Sequence, residues 1–347
     1  MSEFIEKYPH EAGFAAHYAR EIAPLLDKAE ALRKLCLKAY NFVWITGIAT
    51  LILMAVFMTF SGNKNTDTSS NDYSGYILLM VAAIIGIILG LIYGFYVGKN
   101  KKLLMPLITR FFEGINFDTS TSLQEETVKS FNILPDFDTY IGDDQITLPG
   151  QFTSCELNLR RTKKYSSNKS VVVFTGLAVL IDLPRAVTAP ITVRPDSGKI
   201  GNWLTAKLKP YGEKISLEDR TFNKLFEIYS PDQVEARRVL QPALMRRLLQ
   251  LSNLITNWGQ DLAVLPDSSD PCELLTYDKA AHTKPTFSMA IKGAQVLIIV
   301  PCSRDMFETG SLFTSAYNTD EIRCTLYQIY LLLLINKELR QFPQMVS

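Results

Sequence analysis

Two stretches decide the architecture: Phe42–Phe60, FVWITGIATLILMAVFMTF, and Tyr76–Val97, YILLMVAAIIGIILGLIYGFYV. Neither contains a charged residue. At about 1.5 Å of rise per residue, each is long enough to cross a hydrocarbon core of roughly 30 Å. A core helix of a soluble protein would carry a polar stripe, and neither stretch does. Trp44 lies near one end of the first, and Tyr76, Tyr93 and Tyr96 near the ends of the second, where interfacial aromatics concentrate. The reading is a transmembrane pair, residues 42–60 and 76–98.

The segment between them, Ser61–Gly75, reads SGNKNTDTSSNDYSG, polar and rich in turn formers, as a short exposed loop should be. Its one basic residue is Lys64, whereas Arg20, Lys28, Arg33, Lys34 and Lys38 precede the first span and Lys99, Lys101, Lys102 and Arg110 follow the second. Basic residues near span ends stay on the cytoplasmic side, so both termini are expected inside and 61–75 outside. Residues 1–41 are polar and charged throughout, which is no pattern for a cleavable leader, so the first span is expected to act as its own insertion signal.

Global composition conceals this. Of 347 residues, 47% are hydrophobic and 20% charged, near the soluble average. A net charge of +1 argues against a dedicated nucleic-acid binder. Cys36, Cys155, Cys272, Cys302 and Cys324 are widely spaced and odd in number, and are expected as reduced buried thiols. His10, His17 and His282 are too scattered for a histidine metal site, and no metal or cofactor is expected.

The second span carries Gly86, Gly90, Gly94 and Gly98 at intervals of four, with Ala82 extending the row. Such a row lines one helix face and admits another backbone closely. The first span, joined by a short loop, is the favoured neighbour, and a second copy of the chain is the alternative. With no charged residue in either span, no ion or substrate path is evident, and the hairpin reads as an anchor.

Flanking helices are expected at 14–40, with Leu25, Ala29, Leu32 and Cys36 on one face and Pro24 at or near its start, and in the connector 99–135, with a kink at Pro106. The two stretches should pack as an antiparallel stalk. From Asp136 the texture changes to strand-like runs: 145–159 turning at Pro149-Gly150, 170–183, 189–194, 214–217, 225–229, and 287–300 turning near Lys292-Gly293. Strands in succession without intervening helices favour an antiparallel sheet. Ser230-Pro231-Asp232-Gln233 has the order of a helix cap, Gln241-Pro242 restarts a second helix, and Asn318 with Glu321 caps a third whose leucines include Leu326, Leu332 and Leu333. The fold class is therefore α+β: a two-helix transmembrane hairpin with a helical stalk, plus a cytoplasmic domain (136–347) of mainly antiparallel sheet with flanking helices.

Phe222–Leu249, FNKLFEIYSPDQVEARRVLQPALMRRLL, with FTGLAVLIDLP at Phe174–Pro184, Ser154-Cys155-Glu156-Leu157 and Asp305-Met306-Phe307-Glu308, resembles the bacterial DUF3137 family from about Lys99 to Ser347. The preceding hairpin is also similar to that family's layout. The resemblance implies a bacterial inner-membrane protein of uncharacterised activity and supplies no catalytic residues.

No nucleophile elbow, zinc-protease helix, phosphate loop or dinucleotide fingerprint occurs. The best polar set is Glu227, Asp232, Glu235, Arg237 and Arg238, followed by Arg246 and Arg247. Glu235, Arg237, Arg238, Arg246 and Arg247 are candidates for contact with an anion or a partner, or for capping and surface ion pairs. Arg160, Arg161, Lys163 and Lys164 form a second basic run, read as a solvated turn or a contact with anionic lipid. The expected function is a membrane-anchored interaction module with the bilayer and a protein as partners. A membrane-bound enzyme with an unfamiliar site, or an oligomer-forming structural protein, are the alternatives.

Overall fold

The computed structural model describes residues 3–62, 70–162, 170–196, 212–258, 285–302 and 305–341. The chain forms two compact units: Met1–Phe4, Ala15–Leu107 and Glu308–Ile322 in one, and Ile5–Phe14, Ile108–Phe307 and Arg323–Ser347 in the other.

The first unit is a helical hairpin. Helices α1 (Ala23–Gly62) and α2 (Ser70–Thr109) are each 40 residues long, so both charge-free stretches lie inside longer helices. Both are long and apolar enough to cross a membrane, and almost none of that apolar length is buried. The helices also run into the expected loop from either side, and what remains of it, 63–69, lies outside the described residues. A π-turn, Tyr18–Ile22, leads into α1, with the Ala23 N–H bonding to the Tyr18 carbonyl. The helical stretch begins earlier, at Phe14, and runs without a break through the π-turn, so Pro24 stands inside it, directly after the π-turn, rather than at its start. Pro106 does not end α2, which continues to Thr109.

Packing within the hairpin follows steps of three and four. Cys36, Tyr40, Val43, Gly47, Leu51, Met54 and Met58 are the less exposed positions along α1, and Leu78, Val81, Ile85, Leu89, Ile92 and Tyr96 along α2. Gly47 is the small residue that admits a large one, since a Cβ there would lie 2.9 Å from Ile85 Cγ2. The glycine row faces elsewhere. A Cβ added at Gly86, Gly90, Gly94 or Gly98 would meet nothing within 4 Å, so the favoured packing against the first span is not what this face does. Gly86, Gly90 and Gly94 each follow or precede a seam residue by one or two positions, which rotates them off the shared seam. The stalk itself packs as expected: Cys36, Tyr96 and Leu312 form a core with Leu32, Leu37, Tyr40, Ile92 and Val97, and His17 Nε2 lies 2.7 Å from the Leu107 carbonyl.

The second unit is built on an antiparallel sheet, nine-stranded among the described residues. Its strands are β1 (Asn116–Asp118), β2 (Thr139–Leu148), β3 (Phe152–Thr162), β4 (Ser170–Asp182), β5 (Ile191–Pro195), β6 (Glu213–Ile215), β7 (Phe226–Ser230), β8 (Ser288–Lys292) and β9 (Gln295–Pro301), in the order β1-β2-β3-β4-β9-β8-β5-β7-β6. Gly150 (φ 70°) and Gly293 (φ 56°) occupy the left-handed region at the two tight turns that the sequence marks. The β-branched run of β4 lies at the centre, paired with β3 and β9. Gly176 in β4 has no room for a side chain, because a Cβ would collide with the Val300 carbonyl of β9. Leu157, Leu159, Phe174, Ala178, Leu297 and Ile299 bury one face of the sheet together with Val128 and Phe131. Val128 belongs to the short helix α3 (Glu125–Ser130), inside the stretch expected as a helical connector. That connector breaks after Thr109 and holds β1, which the sequence does not announce, nor does it announce α4 (Arg220–Leu225). At three to six residues these elements carry too little periodicity to register.

Two helices follow β7: α5 (Gln233–Val239) and α6 (Pro242–Trp258), the latter opening on Pro242. The cap of α5 is Asp232 rather than Ser230. Its Oδ1 accepts from the Val234 and Glu235 amides at 2.9 and 3.0 Å, whereas Ser230 ends β7 and its Oγ accepts from the Asp232 amide at 3.2 Å. The last helix, α7 (Thr319–Arg340), has Asn318 Oδ1 accepting from the Asp320 amide at 3.0 Å. Glu321 accepts from Thr314 Oγ1 at 2.7 Å, so its carboxylate is used by the preceding segment.

Candidate functional site

The polar residues singled out in the sequence separate into local pairs. Glu227 of β7 is buried, with Oε2 accepting from Arg194 Nε (3.0 Å) and from the Tyr229 hydroxyl (3.0 Å), and Oε1 from Lys214 Nζ (2.9 Å). Arg194 and Lys214 sit on the neighbouring strands β5 and β6 and Tyr229 on β7 itself, so the group ties the end of the sheet together. Glu235 on α5 takes Arg238 in a two-point pair, 2.7 Å at each contact, and Oε1 also accepts from the Thr188 amide at 2.9 Å. The guanidinium beside it, with further hydrogen bonds, holds the Glu235 carboxyl down at about 2. Arg247 on α6 donates through Nη1 to Glu338 Oε2 (2.8 Å) and Gln341 Oε1 (3.2 Å) on and beyond α7. Arg237 and Arg246 are exposed. Asp232 is occupied as the cap. In the second basic run, Arg161 lies 3.7 Å from Asp136 and Arg160 donates to Asn158, while Lys163 and Lys164 fall outside the described residues.

A more concentrated polar arrangement lies in the hairpin unit, on residues with no recognisable motif. The segment Glu308–Ile322 runs across both stalk helices. On α1, Tyr317 donates its hydroxyl to Asp27 (2.6 Å), the Ala316 amide donates to Glu30 Oε2 (2.9 Å), and Arg33 Nη1 donates to the Leu312 carbonyl (3.1 Å). Asp27, Glu30 and Arg33 are three apart and therefore share a face. On α2, Asn100 Nδ2 donates to Thr309 Oγ1 (3.2 Å) and Lys101 pairs with Glu308 (2.7 Å). Glu30 and Arg33 also form a two-point pair of their own, at 2.7 and 2.8 Å. The Arg33 guanidinium foremost, then the Ala316 amide, holds the Glu30 carboxyl at about 2 against the opposing effect of burial. Leu312 fills the core between the helices, and Phe313 lies next to it with its ring 5.3 Å from Tyr40 and 6.0 Å from Tyr93. The arrangement works as a clasp, fixing two helices to one returning segment at several points.

Asp143, Asp144 and Glu156 bring carboxylate oxygens within 4.8 Å of one another at the β2 bulge, where Asp144 is buried at φ 50°. Glu156 Oε1 also accepts from the Met306 amide at 2.9 Å. No further feature among the described residues points to a ligand there.

Residues 172–264 match the family model described as a protein of unknown function, DUF3137. The chain carries a DUF3137 domain. The match is narrower than the resemblance from about Lys99 to Ser347, and the segments at 154–157 and 305–308 lie outside it. No curated protein matches the sequence. Among solved structures, the crystal structure of the mycobacterial trehalose monomycolate transport factor A, TtfA, is similar over 68% of this chain and 94% of its own, at 10% identity and a TM-score of 0.28. A score that low carries no inference of shared fold. Within the DUF3137 domain, Glu227, Asp232 and Glu235 hold strands and helix starts in place. The two outlying segments meet each other through the Glu156–Met306 bond.

Proposed function

We propose that this chain is a membrane-anchored interaction module, in which α1 and α2 cross the bilayer as a hairpin and hold the DUF3137 domain at the cytoplasmic face. The observation that carries the reading is the exposed surface of the hairpin. Phe42, Leu53, Phe57, Phe60, Tyr76 and Leu91 are all more than half exposed while the seam between the helices is already filled. An apolar surface that continuous needs lipid around it. The excess of basic residues before α1's charge-free stretch and after α2's supports cytoplasmic ends, and the family resemblance supports a bacterial inner membrane. The interaction role rests on Glu227, Glu235 and Glu338 being taken up in separate structural pairs rather than converging with the arginines on one cleft. A reporter inserted within residues 63–69 tests the topology: an exported reporter is expected, and a cytoplasmic one overturns it. For the interaction role, affinity purification in mild detergent should return a reproducible protein partner, and return of the chain alone removes that part.

A second reading, self-association through α2, is favoured by the open face of Gly86, Gly90 and Gly94. Gly90→Leu with Gly94→Leu should leave the hairpin seam intact and abolish a crosslinkable oligomer. An unchanged crosslinking pattern rules that reading out.

A further inference from the structure

We infer that the segment Glu308–Ile322 carries a third membrane contact, in which Phe313 seats at the headgroup–acyl boundary beside the two spans. The inference rests on the anchor reading above. Phe313 is 58% exposed although Leu312, its neighbour, is fully buried between the stalk helices. The segment does not leave this ring loose. The Leu312 carbonyl is held by Arg33, the Ala316 amide by Glu30, and the ring itself packs edge-on to Tyr40 and stacks on Tyr93. A fixed phenylalanine with most of its surface outward is unfavourable in water and favourable where an aromatic belt sits.

The level along the helices agrees. Tyr40 lies two residues before the charge-free stretch of α1, and Tyr93 four residues before its counterpart in α2 ends. Lys34, Lys38 and Lys99 are exposed around the aromatic trio, and Lys99 Nζ reaches back over the Phe95 ring at 5.8 Å, as amines do at headgroup depth. Tyr40, Tyr93 and Phe313 thus form one aromatic surface continuous with the lipid-facing side of the hairpin. Its occupant is the phospholipid interface of the host bilayer. The third ring comes from a part of the chain more than two hundred residues away from the spans.

Single-tryptophan proteins reconstituted into liposomes of phosphatidylcholine and phosphatidylglycerol test this, with acyl chains brominated near the headgroup. Trp203→Phe with Trp258→Phe leaves Trp44 as the reporter of the hairpin itself, one turn or about 6 Å along α1 from Tyr40. Adding Trp44→Phe and Phe313→Trp moves the reporter to the clasp. Bromide quenching and a blue-shifted emission are expected at both positions. A second variant guards against a tryptophan that does not seat: photoreactive benzoylphenylalanine in place of Phe313, with the native tryptophans kept, should yield phospholipid adducts by mass spectrometry. Quenching or lipid adducts at position 313 support the contact. If Trp44 is quenched while neither probe at 313 meets lipid, the third contact is overturned and the anchor stands. If Trp44 is itself unquenched, the anchor reading fails and this inference falls with it.

Discussion

Glu30 and Glu235 are built alike. Each lies on a helix, pairs at two points with an arginine three residues on, and accepts one backbone amide from a segment distant in sequence: Ala316 for Glu30, Thr188 for Glu235. Both carboxyls are held at about 2. The surroundings differ. Arg33 has a side-chain exposure of 12% and also holds the Leu312 carbonyl, whereas Arg238 is exposed to 39%. The Ala316 amide is buried and that of Thr188 belongs to an exposed residue. The same three-residue spacing therefore yields a buried fastening in one unit and a helix-surface bracket in the other. What decides the role is whether water can replace the carboxylate once it is gone.

The largest effect should follow Glu30→Ala. It leaves the Arg33 guanidinium uncompensated and the Ala316 amide without an acceptor, a loss of about 3 kcal/mol for breaking a mostly buried pair. Hydrogen exchange of the Ala316 amide should accelerate by roughly two orders of magnitude, since about 1.4 kcal/mol is tenfold in an opening equilibrium. Exchange within a few-fold of the parent would make the clasp no stronger than the bracket.

How much of this was legible in the sequence follows from the same contrast. The two long apolar helices stand out as unbroken charge-free runs, and the antiparallel sheet and the turns at Gly150 and Gly293 announce themselves through alternation and turn chemistry over short windows. Glu235 and Arg238 were visible because they follow a strong helix start. Glu30 and Arg33 were not, because a Glu and an Arg three apart on a charged helix look like any solvated face, and their partner is at 312–316. The cap of α5 was misplaced by two residues because Ser230 and Asp232 both have capping chemistry, and only the path of the chain out of β7 decides between them. The glycine row was readable as a packing face, but which neighbour it lacks depends on how Gly47 and Ile85 rotate α2.

Acid should expose both carboxylates together. Each pKa is depressed from 4.5 to about 2, so the stability each contributes is fully present above the unfolded value and is lost as pH falls from about 4.5 through 2. Melting midpoints should therefore fall across that window. Glu30→Gln and Glu235→Gln should each flatten part of the fall, with the Glu30 variant also less stable at neutral pH. A parent profile that does not change between pH 5 and 2 contradicts the pairing in both units.

Glu235→Ala should cost less, about 1 kcal/mol, because Arg238 and the Thr188 amide can both turn to water. Roughly fivefold faster exchange of the Thr188 amide is the expected reading. A loss matching that of Glu30→Ala would mean that exposure does not separate the two devices.

Tyr317→Phe should have the smallest effect of all. Its hydroxyl bond to Asp27 is short, 2.6 Å, but Asp27 is exposed and Tyr317 half-exposed, so water competes for both ends. Short distance alone does not make a strong fastening when solvent offers the same bond. The unfolding midpoint and the Ala316 amide exchange should match those of the parent, with Leu312 and the Glu30–Arg33 pair still holding the segment on α1. If Ala316 exchange rises as it does in Glu30→Ala, the outer bond is part of the clasp's cooperative unit and the buried pair does not act alone. If it stays fixed, the fastening reduces to the side chains that water cannot reach, which is the feature that sets Glu30 apart from Glu235.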